Sequence, residues 1–382
     1  MTTVDEAPSV PVASPTTMYG SPVSLVVAIG PLPPPIHGAA LVNASVCSQL
    51  TESTDLYIVD TAVSTSLRLA YHLRRLCRHL DGALTMLRHR RDPRRRYIYV
   101  TSPGGLALWY VLPLIALARL LNYRVVVHHH SFAYISRFSI AMRALVAAAG
   151  GAGRHVLLCP EMRDRFDVTY RPKQPSTVCS NAAWLGAKSD DAPKSSRTRA
   201  LRIGHLGTLT PEKGIDELTQ LTLALISQGI NAELWLAGAP PNESARARLE
   251  SALQALGPSH SRWLGILQGQ AKARFFDDID VFVLPSRYKH EAQPLVVFEA
   301  LQASVPVISY AVGCVPGQLR SSGLLVSPEA RLEHEAIPFL RMLHDDSEAQ
   351  RAARRAARRA FEAARSEGVD QSLALIADIT AE

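Results

Sequence analysis

The sequence predicts an α/β protein made of two doubly wound, Rossmann-like domains. Its 382 residues are 47% apolar and 20% charged, which is an ordinary globular composition and enough chain for two hydrophobic cores. From residue 23 onward, short β-branched runs alternate with helical patterns, as in parallel sheets with crossover helices. A polar stretch at residues 184–200 separates two such series, so we expect an interdomain linker there.

The first domain is predicted over residues 21–183. Residues 1–20 contain acidic residues and no continuous apolar core, so we expect a disordered tail and not a signal peptide. An amphipathic helix is predicted at residues 67–87. The apolar stretch 106–121 is too short for a membrane span and predicts a buried helix. The predicted strands are SLVVAIG (24–30), LYIVD (56–60), RYIYV (96–100), RVVVHHH (124–130) and HVLLC (155–159).

The second domain is predicted over residues 201–345. Residues 346–382 should form a C-terminal helical segment that packs back toward the first domain. Its Ala- and Arg-rich part, residues 347–365, predicts a helix that ends before Gly368. The predicted strands of this domain are LRIGHLG (201–207), AELWLAG (232–238), SRWLGIL (261–267), DVFVLP (280–285) and VPVISY (305–310).

Metal and disulfide chemistry find little support in the sequence. The five cysteines are an odd number without a CxxC pair, so they predict neither a disulfide framework nor a thiolate zinc site, and a reducing cytoplasm fits best. Three adjacent histidines at 128–130 cannot converge on one ion, because neighbours on a strand point to opposite faces. Asp278 and Asp280 spell a DxD pattern, but Asp280 opens a strand predicted to be buried on both faces.

The loop after DVFVLP predicts an anion site. Pro294 stands where a helix is expected to begin, and proline is favoured at a first helical position because its missing N–H has no partner there. The amides of Leu295, Val296 and Val297 would then point into a cleft with the positive end of the helix dipole. Such a helix start is suited to phosphate.

Two glutamates bracket this helix start. Glu291 lies in the preceding loop, and Glu299 lies about one turn inside the helix. Carboxylates accept hydrogen bonds from vicinal hydroxyl groups, so one glutamate could hold a sugar and the other a ribose, with a diphosphate between them.

This segment resembles a known family. HEAQPLVVFEALQASVPVIS looks like the E-x7-E element of the retaining family 4 glycosyltransferases, which have the GT-B fold. VCSNAA (178–183) is similar to the family's turn into the interdomain linker, and the resemblance covers about residues 23–330 in the same order and spacing. It implies two Rossmann-like domains facing each other across a cleft.

A diphosphate-binding loop is implied by HLGTLTPEKGIDEL (205–218), which is similar to the family's entry into the second domain. Lys213 and Gly214 match the family's Lys-Gly pair, while Thr208, which follows Gly207, stands where the family usually has arginine. Neutralisation of the diphosphate would therefore rest on Lys213 and the helix amides unless Arg287 or Arg320 reaches the cleft.

The first domain carries two further matches. GPLPPPIHGAA (30–40) resembles the loop that closes over donor and acceptor, and it keeps Gly38 of the family's two glycines. RVVVHHHSF (124–132) resembles a strand ending in a histidine that touches the donor sugar near the reacting carbon. The resemblance favours His129 for that role, with His130 second.

The resemblance implies a front-face displacement in which the leaving diphosphate helps to take the acceptor proton and no carboxylate nucleophile is needed. Glu291 would hold a hydroxyl of the donor sugar, Glu299 the ribose and Lys213 the leaving phosphates. His129 would contact the reacting face through its backbone or its ring. The expected donor is a UDP- or GDP-sugar, without an essential metal or other cofactor. A lipid-linked saccharide on the cytoplasmic face, in surface polysaccharide synthesis, is the acceptor that family habits suggest.

The net charge of +7 is concentrated in one segment, because ten arginines and only two aspartates fall between Arg68 and Arg96. This segment could be a solvated face, a nucleic-acid patch or a surface for anionic lipid. Tyr71 is its only aromatic residue, so base stacking has little support, and we expect no nucleic-acid partner. Since many members of the family act on lipid-linked acceptors, peripheral membrane docking is favoured.

Two other functions remain open at this stage. A non-catalytic GT-B protein that binds a nucleotide sugar or a partner is one alternative, because Thr208 replaces the arginine that the family usually has. A nucleotide-sugar epimerase of the same fold would need additional acids in the cleft. A dehydrogenase is disfavoured because GHLGTL lacks the GxGxxG spacing.

Overall fold

The computed structural model describes residues 23–63, 65, 67–186 and 200–380. Their strands form two six-stranded parallel sheets, in the orders β2-β1-β3-β4-β5-β6 and β12-β11-β10-β7-β8-β9. The predicted α/β class with two doubly wound sheets is therefore confirmed. The expected tail at residues 1–20 and most of the expected linker lie outside the described residues.

The secondary structure alternates as the sequence predicts. The strands are β1 Ser24–Gly30, β2 Asp55–Asp60, β3 Arg95–Ser102, β4 Arg124–His129, β5 Gly153–Leu157, β6 Thr177–Val178, β7 Leu201–Leu206, β8 Ala232–Ala237, β9 Ser261–Trp263, β10 Val281–Leu284, β11 Val307–Tyr310 and β12 Gly323–Val326. The helices are α1 Gly38–Thr51, α2 Arg68–Arg88, α3 Leu108–Leu120, α4 Ala133–Ser136, α5 Ile140–Ala149, α6 Pro160–Tyr170, α7 Ile215–Ser227, α8 Glu243–Leu256, α9 Gly269–Asp278, α10 Leu295–Gln302, α11 Val315–Leu319, α12 Leu332–Asp345 and α13 Ser347–Thr380. Two edge strands, β6 and β12, were not predicted.

Both faces of each sheet are covered. In β1, Leu25 and Val27 pack into one apolar cluster of the first domain, while Val26 and Ala28 pack into another on the opposite face. This two-sided burial explains why the strands read as continuous apolar runs without polar alternation. All strand pairs are parallel, so the loops that follow the strands gather at one end of each sheet.

Helix α13 is longer than predicted and joins the two domains. It continues through Gly368 to Thr380. A Cβ at Gly368 would lie only 2.8 Å from the backbone nitrogen of Ala183, so glycine permits a close crossing here and does not end the helix. Farther on, the carbonyl of Ile379 accepts a hydrogen bond from Ser24 of β1 at 2.9 Å.

Helices α2 and α3 bury one face each. Helix α3 packs Leu108, Val111 and Ile115 into the core but leaves Trp109 and Leu120 exposed, so the predicted burial holds for one face only. Helix α2 exposes a leucine row that is described below. Within the described residues, no helix combines the length and the apolar character that crossing a membrane requires.

Candidate donor cleft between the two sheets

The carboxyl ends of the two sheets face a shared cleft of about 790 Å³. Its walls come from loops and helix starts of both domains, which is the usual position for ligands of doubly wound sheets. The predicted site residues that line it are Gly38, His130, Gly207, Thr208, Lys213, Glu291, Leu295, Val296 and Glu299.

Lys213 and Glu291 form an ion pair in the cleft. The Lys213 ammonium contacts Oε2 of Glu291, and the Ser286 hydroxyl donates to the same oxygen at 2.9 Å. Gly214 has a φ of 89°, and a Cβ there would lie 2.4 Å from the Pro285 ring, so only glycine fits between the two loops. The Lys-Gly pair thus sets the lysine beside the loop of residues 285–294, called the glutamate loop because it carries Glu291.

Helix α10 begins at Leu295, with Pro294 as its N-cap. The Val297 amide donates to the Pro294 carbonyl at 3.2 Å, so the expectation that three amides are free is corrected to two. The amides of Leu295 and Val296 have no backbone or side-chain acceptor in the part of the chain that is described. They leave partial positive charge at the cleft wall.

Glu299 pairs with a second cation that sequence reasoning missed. The ammonium of Lys272, on helix α9, lies 2.6 Å from Oε1 of Glu299, and both residues line the cleft. The Lys272 side chain is 30% exposed and that of Glu299 is 13% exposed. A single lysine in an ordinary helical stretch gives no sequence signal, because only the packing of α9 beside α10 brings it here.

Neither arginine that was considered as a substitute at Thr208 reaches the cleft. Arg287 pairs with Glu217 at 3.0 Å and also donates to the Tyr310 hydroxyl. Arg320 pairs with Glu367 of α13 at 2.8 Å. Both arginines are held outside the cleft by these partners, so Lys213 and Lys272 are the cations that line it in the described structure.

His129 does not line the cleft, and its predicted role at the reacting face is corrected. Its ring lies in the core of the first domain, with Nδ1 2.9 Å from the Tyr134 hydroxyl and Nε2 3.0 Å from His155. Successive side chains of a strand alternate in direction, and it is His130 that borders the cleft. The His130 Nε2 atom is buried without a partner among the described residues.

His37 is another cleft residue that the sequence did not single out. Its Nδ1 accepts a hydrogen bond from the amide of Ala40 at 3.2 Å and caps helix α1. The ring proton must therefore be on Nε2, where it can donate to a ligand. Burial lowers the pKa of His37, which favours this neutral form.

The glutamate loop is fastened to the first domain. The Gln293 side-chain amide donates to the Leu158 carbonyl at 2.9 Å, and its oxygen accepts from the Asn181 amide at 2.7 Å. A disulfide between Cys159 and Cys314 crosses the same boundary, contrary to the expectation drawn from cysteine spacing. The two cysteines are 155 residues apart, so only the fold brings them together.

Buried neutral histidines should make stability depend on pH. Burial lowers the pKa of His205 to about 4, below its ordinary value near 6.5. A depressed folded-state pKa means that the unfolded chain binds the proton first, so stability is lost as pH falls from about 6.5 toward 4. His128 and His155 act in the same direction, with pKa values of about 3 and about 4.

We expect His205→Asn to weaken this pH dependence by up to about 1.4 kcal/mol per pH unit, because one coupled proton is removed. Asparagine can keep the donor that His205 Nδ1 offers to the Val283 carbonyl. Urea unfolding between pH 4 and 7 measures the slope, with the exposed His334→Asn as the matched control. Equal slopes for wild type and His205→Asn would contradict the expectation.

Comparison with known proteins finds one family model that is similar to the second domain. Residues 188–359 match the family model described as glycosyl transferases group 1. The matched region includes Lys213, Lys272, Glu291 and Glu299. No curated protein sequence matches the chain.

Solved structures share the fold of nearly the whole chain. HepE of Anabaena, in complex with UDP-glucose, has a TM-score of 0.68 at 15% identity, over 93% of this chain and 98% of that one. Sucrose-phosphate synthase of Thermosynechococcus elongatus has a TM-score of 0.69 at 16% identity, over 94% and 99%. WaaG, a glycosyltransferase involved in lipopolysaccharide biosynthesis, has a TM-score of 0.62 at 13% identity, over 94% and 100%. The chain therefore has the GT-B fold.

Proposed function

We propose that this chain is a retaining glycosyltransferase that moves a sugar from a nucleoside diphosphate sugar to a lipid-linked saccharide. The observation that carries the proposal is that the two amides at the start of α10 that are free in the described structure line the same cleft as the pairs Lys213–Glu291 and Lys272–Glu299. The match of residues 188–359 to glycosyl transferases group 1 supports it. So does the UDP-glucose bound in the structurally similar HepE.

The proposed donor pose follows from charge. A diphosphate carries negative charge that the Leu295 and Val296 amides and the Lys213 ammonium can neutralise. Glu299 would accept the ribose hydroxyls, and its ion pair with Lys272 orients that carboxylate. The contacts of Lys213 and Ser286 both go to Oε2 of Glu291, which leaves Oε1 available for a sugar hydroxyl.

The proposed reaction is a front-face displacement. A hydroxyl oxygen of the acceptor bonds to the anomeric carbon while the bond from that carbon to the diphosphate breaks. The acceptor proton moves to an oxygen of the leaving diphosphate, so no protein nucleophile is required. The chain's contribution is to position both substrates and to stabilise the charge that grows on the diphosphate. The proposed histidine at the reacting face is His130, and no essential metal takes part.

A donor screen tests the proposal. The protein is incubated with UDP-, GDP- and ADP-sugars, and release of the nucleoside diphosphate and protection against heating are measured. We expect one of these donors to protect the protein against heating and to be hydrolysed slowly. Absence of both with every donor would contradict the proposal. Protection without any release, even with acceptors present, would favour the alternative that Thr208 suggests, a non-catalytic protein that binds a nucleotide sugar.

We also propose that α2 docks on an anionic membrane surface, which would place the protein on the cytoplasmic face. Six leucines at helical spacing form an exposed row along this helix, with exposures from 37% to 73%: Leu69, Leu73, Leu76, Leu80, Leu84 and Leu87. Ten arginines lie between Arg68 and Arg96. Exposed leucines beside arginines are the composition of helices that lie in the interface of anionic lipid.

We expect Leu73→Gln/Leu80→Gln to lower co-flotation with anionic liposomes at least several-fold, because the buried apolar area is lost. Arg88→Gln/Arg90→Gln/Arg91→Gln should lower it too, mainly at low salt. Leu223→Gln, an exposed leucine of the second domain, is the matched control. Flotation that depends neither on lipid charge nor on these substitutions would contradict docking. A dimer in solution that the leucine substitutions disrupt would instead identify a second copy of the chain as the partner of this surface.

A further inference from the structure

A second cavity of about 440 Å³ adjoins the donor cleft on the side of the first domain. His37, His130 and Tyr288 border both spaces, so a molecule in the second cavity would reach the point where the donor sugar is proposed to lie. From there the cavity extends to the inner side of α2. An acceptor must lie beside the donor, and this cavity offers it room.

One guanidinium on the cavity wall, that of Arg75, has no carboxylate partner in the described part of the chain. The guanidinium carbon of Arg75, on α2, lies 5.7 Å from the ring centroid of Tyr71 and 5.7 Å from that of Tyr110. It donates to the Tyr71 hydroxyl, while its Nε is buried without a hydrogen-bond partner. Within residues 23–63, 65, 67–186 and 200–380, the contacts of the Arg75 guanidinium are with these two tyrosines and with no acid. Arg287 and Arg320, by contrast, each pair with an acid.

An unpaired, half-buried guanidinium is unfavourable unless a ligand supplies the opposite charge. The planar fork of arginine fits two oxygens of a phosphate or carboxylate at once. The two phenol rings restrict the side chain, so less conformational entropy is lost when an anion binds. These features describe a site for an anionic oxygen group.

A hydrogen-bond acceptor stands one turn along the helix. His79 is 5% exposed, and its Nδ1 lies 2.7 Å from the Arg75 carbonyl, to which it must donate. Its Nε2 then carries the lone pair and can accept from a hydroxyl. Burial lowers the pKa of His79, which keeps the ring neutral. The cavity wall therefore offers a cation and a neutral acceptor on the same face of α2.

We propose that this cavity is the acceptor site and that Arg75 binds an anionic group of the acceptor, a phosphate or a carboxylate, while His79 accepts from a neighbouring hydroxyl. This rests on the proposed glycosyltransferase function and adds the chemical class of its second substrate. The phosphate could belong to the lipid linkage and the carboxylate to an acidic sugar. Helix α2 carries both Arg75 and the leucine row, so one helix would contact the membrane and bind the charged part of the acceptor.

The test uses three water-soluble probes below their micelle concentrations: octyl phosphate esterified to glucose, octyl glucuronide and neutral octyl glucoside. Binding to the full chain is measured by calorimetry in the presence of UDP. We expect an anionic probe to bind, and Arg75→Gln to weaken it by about 10- to 100-fold, the range for losing a charged hydrogen bond. The neutral probe should bind both proteins alike. Arg75→Lys should recover part of the affinity, and the exposed neighbour Arg74→Gln should change it by less than about threefold.

The three probes also identify the source of the charge. Preference for the phosphate ester points to a phosphate-linked lipid, and preference for the glucuronide points to an acidic sugar. Equal affinity of wild type and Arg75→Gln for the anionic probes would overturn the inference, as would equal weakening of the neutral probe. UDP-sugar titration of the wild type separates the two proposals. If no donor binds, the proposed function is wrong. If a donor binds but Arg75→Gln leaves the affinity for the anionic probes unchanged, only the proposed acceptor site is wrong.

Discussion

Lys213→Ala is expected to lower kcat/KM for sugar transfer by about 100- to 1000-fold, the range seen when one preorganised charge-stabilising donor is removed. Charge grows on the leaving diphosphate as the sugar departs, and Lys213 is one of two lysines that line the cleft in the described structure. Thr208 supplies no positive charge beside it. The change also leaves Glu291, 11% exposed, without its cation.

Lys213→Ala should change kcat more strongly than it changes the free energy of unfolding. Lys289→Ala is the matched control, because it removes an exposed lysine from the glutamate loop whose side chain does not border the cleft. Initial rates over a range of donor concentrations measure both kinetic constants. A loss below about threefold, or the same loss in Lys289→Ala, would mean that Lys213 does not carry the charge of the leaving group.

Glu299→Ala is expected to raise the donor Kd by about 10- to 100-fold, because hydrogen bonds from two ribose hydroxyls to a charged acceptor are lost. It also removes the partner of Lys272, which lies 2.6 Å away. Glu299→Gln keeps one acceptor oxygen and should recover part of the affinity. The free nucleoside diphosphate should lose affinity as strongly as the intact donor, since the contact is to the ribose.

Calorimetric titration with donor and with the nucleoside diphosphate measures this loss. Glu250→Ala, which removes an exposed glutamate of helix α8, is the control for a change of net charge in the same domain. If Glu299→Ala weakened the sugar-bearing donor but not the nucleoside diphosphate, Glu299 would bind the transferred sugar and the proposed orientation of the donor would be reversed.

Much of the fold could be predicted because its signals are local. A strand buried on both faces is a continuous apolar run, so β1 and β8 were found within a residue of their bounds. The loop that carries Glu291 was identified because a strand, a proline and a helix follow one another in a short stretch of chain. Each of these features depends on neighbours in sequence.

What could not be predicted depends on contacts between distant segments. Gly368 looks like a helix end in sequence, and only the close crossing at Ala183 explains why α13 continues. The pairing of Cys159 with Cys314 needs both domains in place. His129 and His130 differ by one residue, so a small error in placing the end of β4 exchanges a core side chain for one at the cleft.

The measurement that tests the central claim most directly is amide hydrogen exchange with and without the donor selected by the screen. Unpaired amides exchange fast, and those of Leu295 and Val296 should slow markedly if a diphosphate accepts their hydrogen bonds. We predict slower exchange in peptides covering residues 205–214 and 286–299, and loss of this protection in Lys213→Ala. Protection confined to other segments, or none at saturating donor, would contradict a donor site at the start of α10.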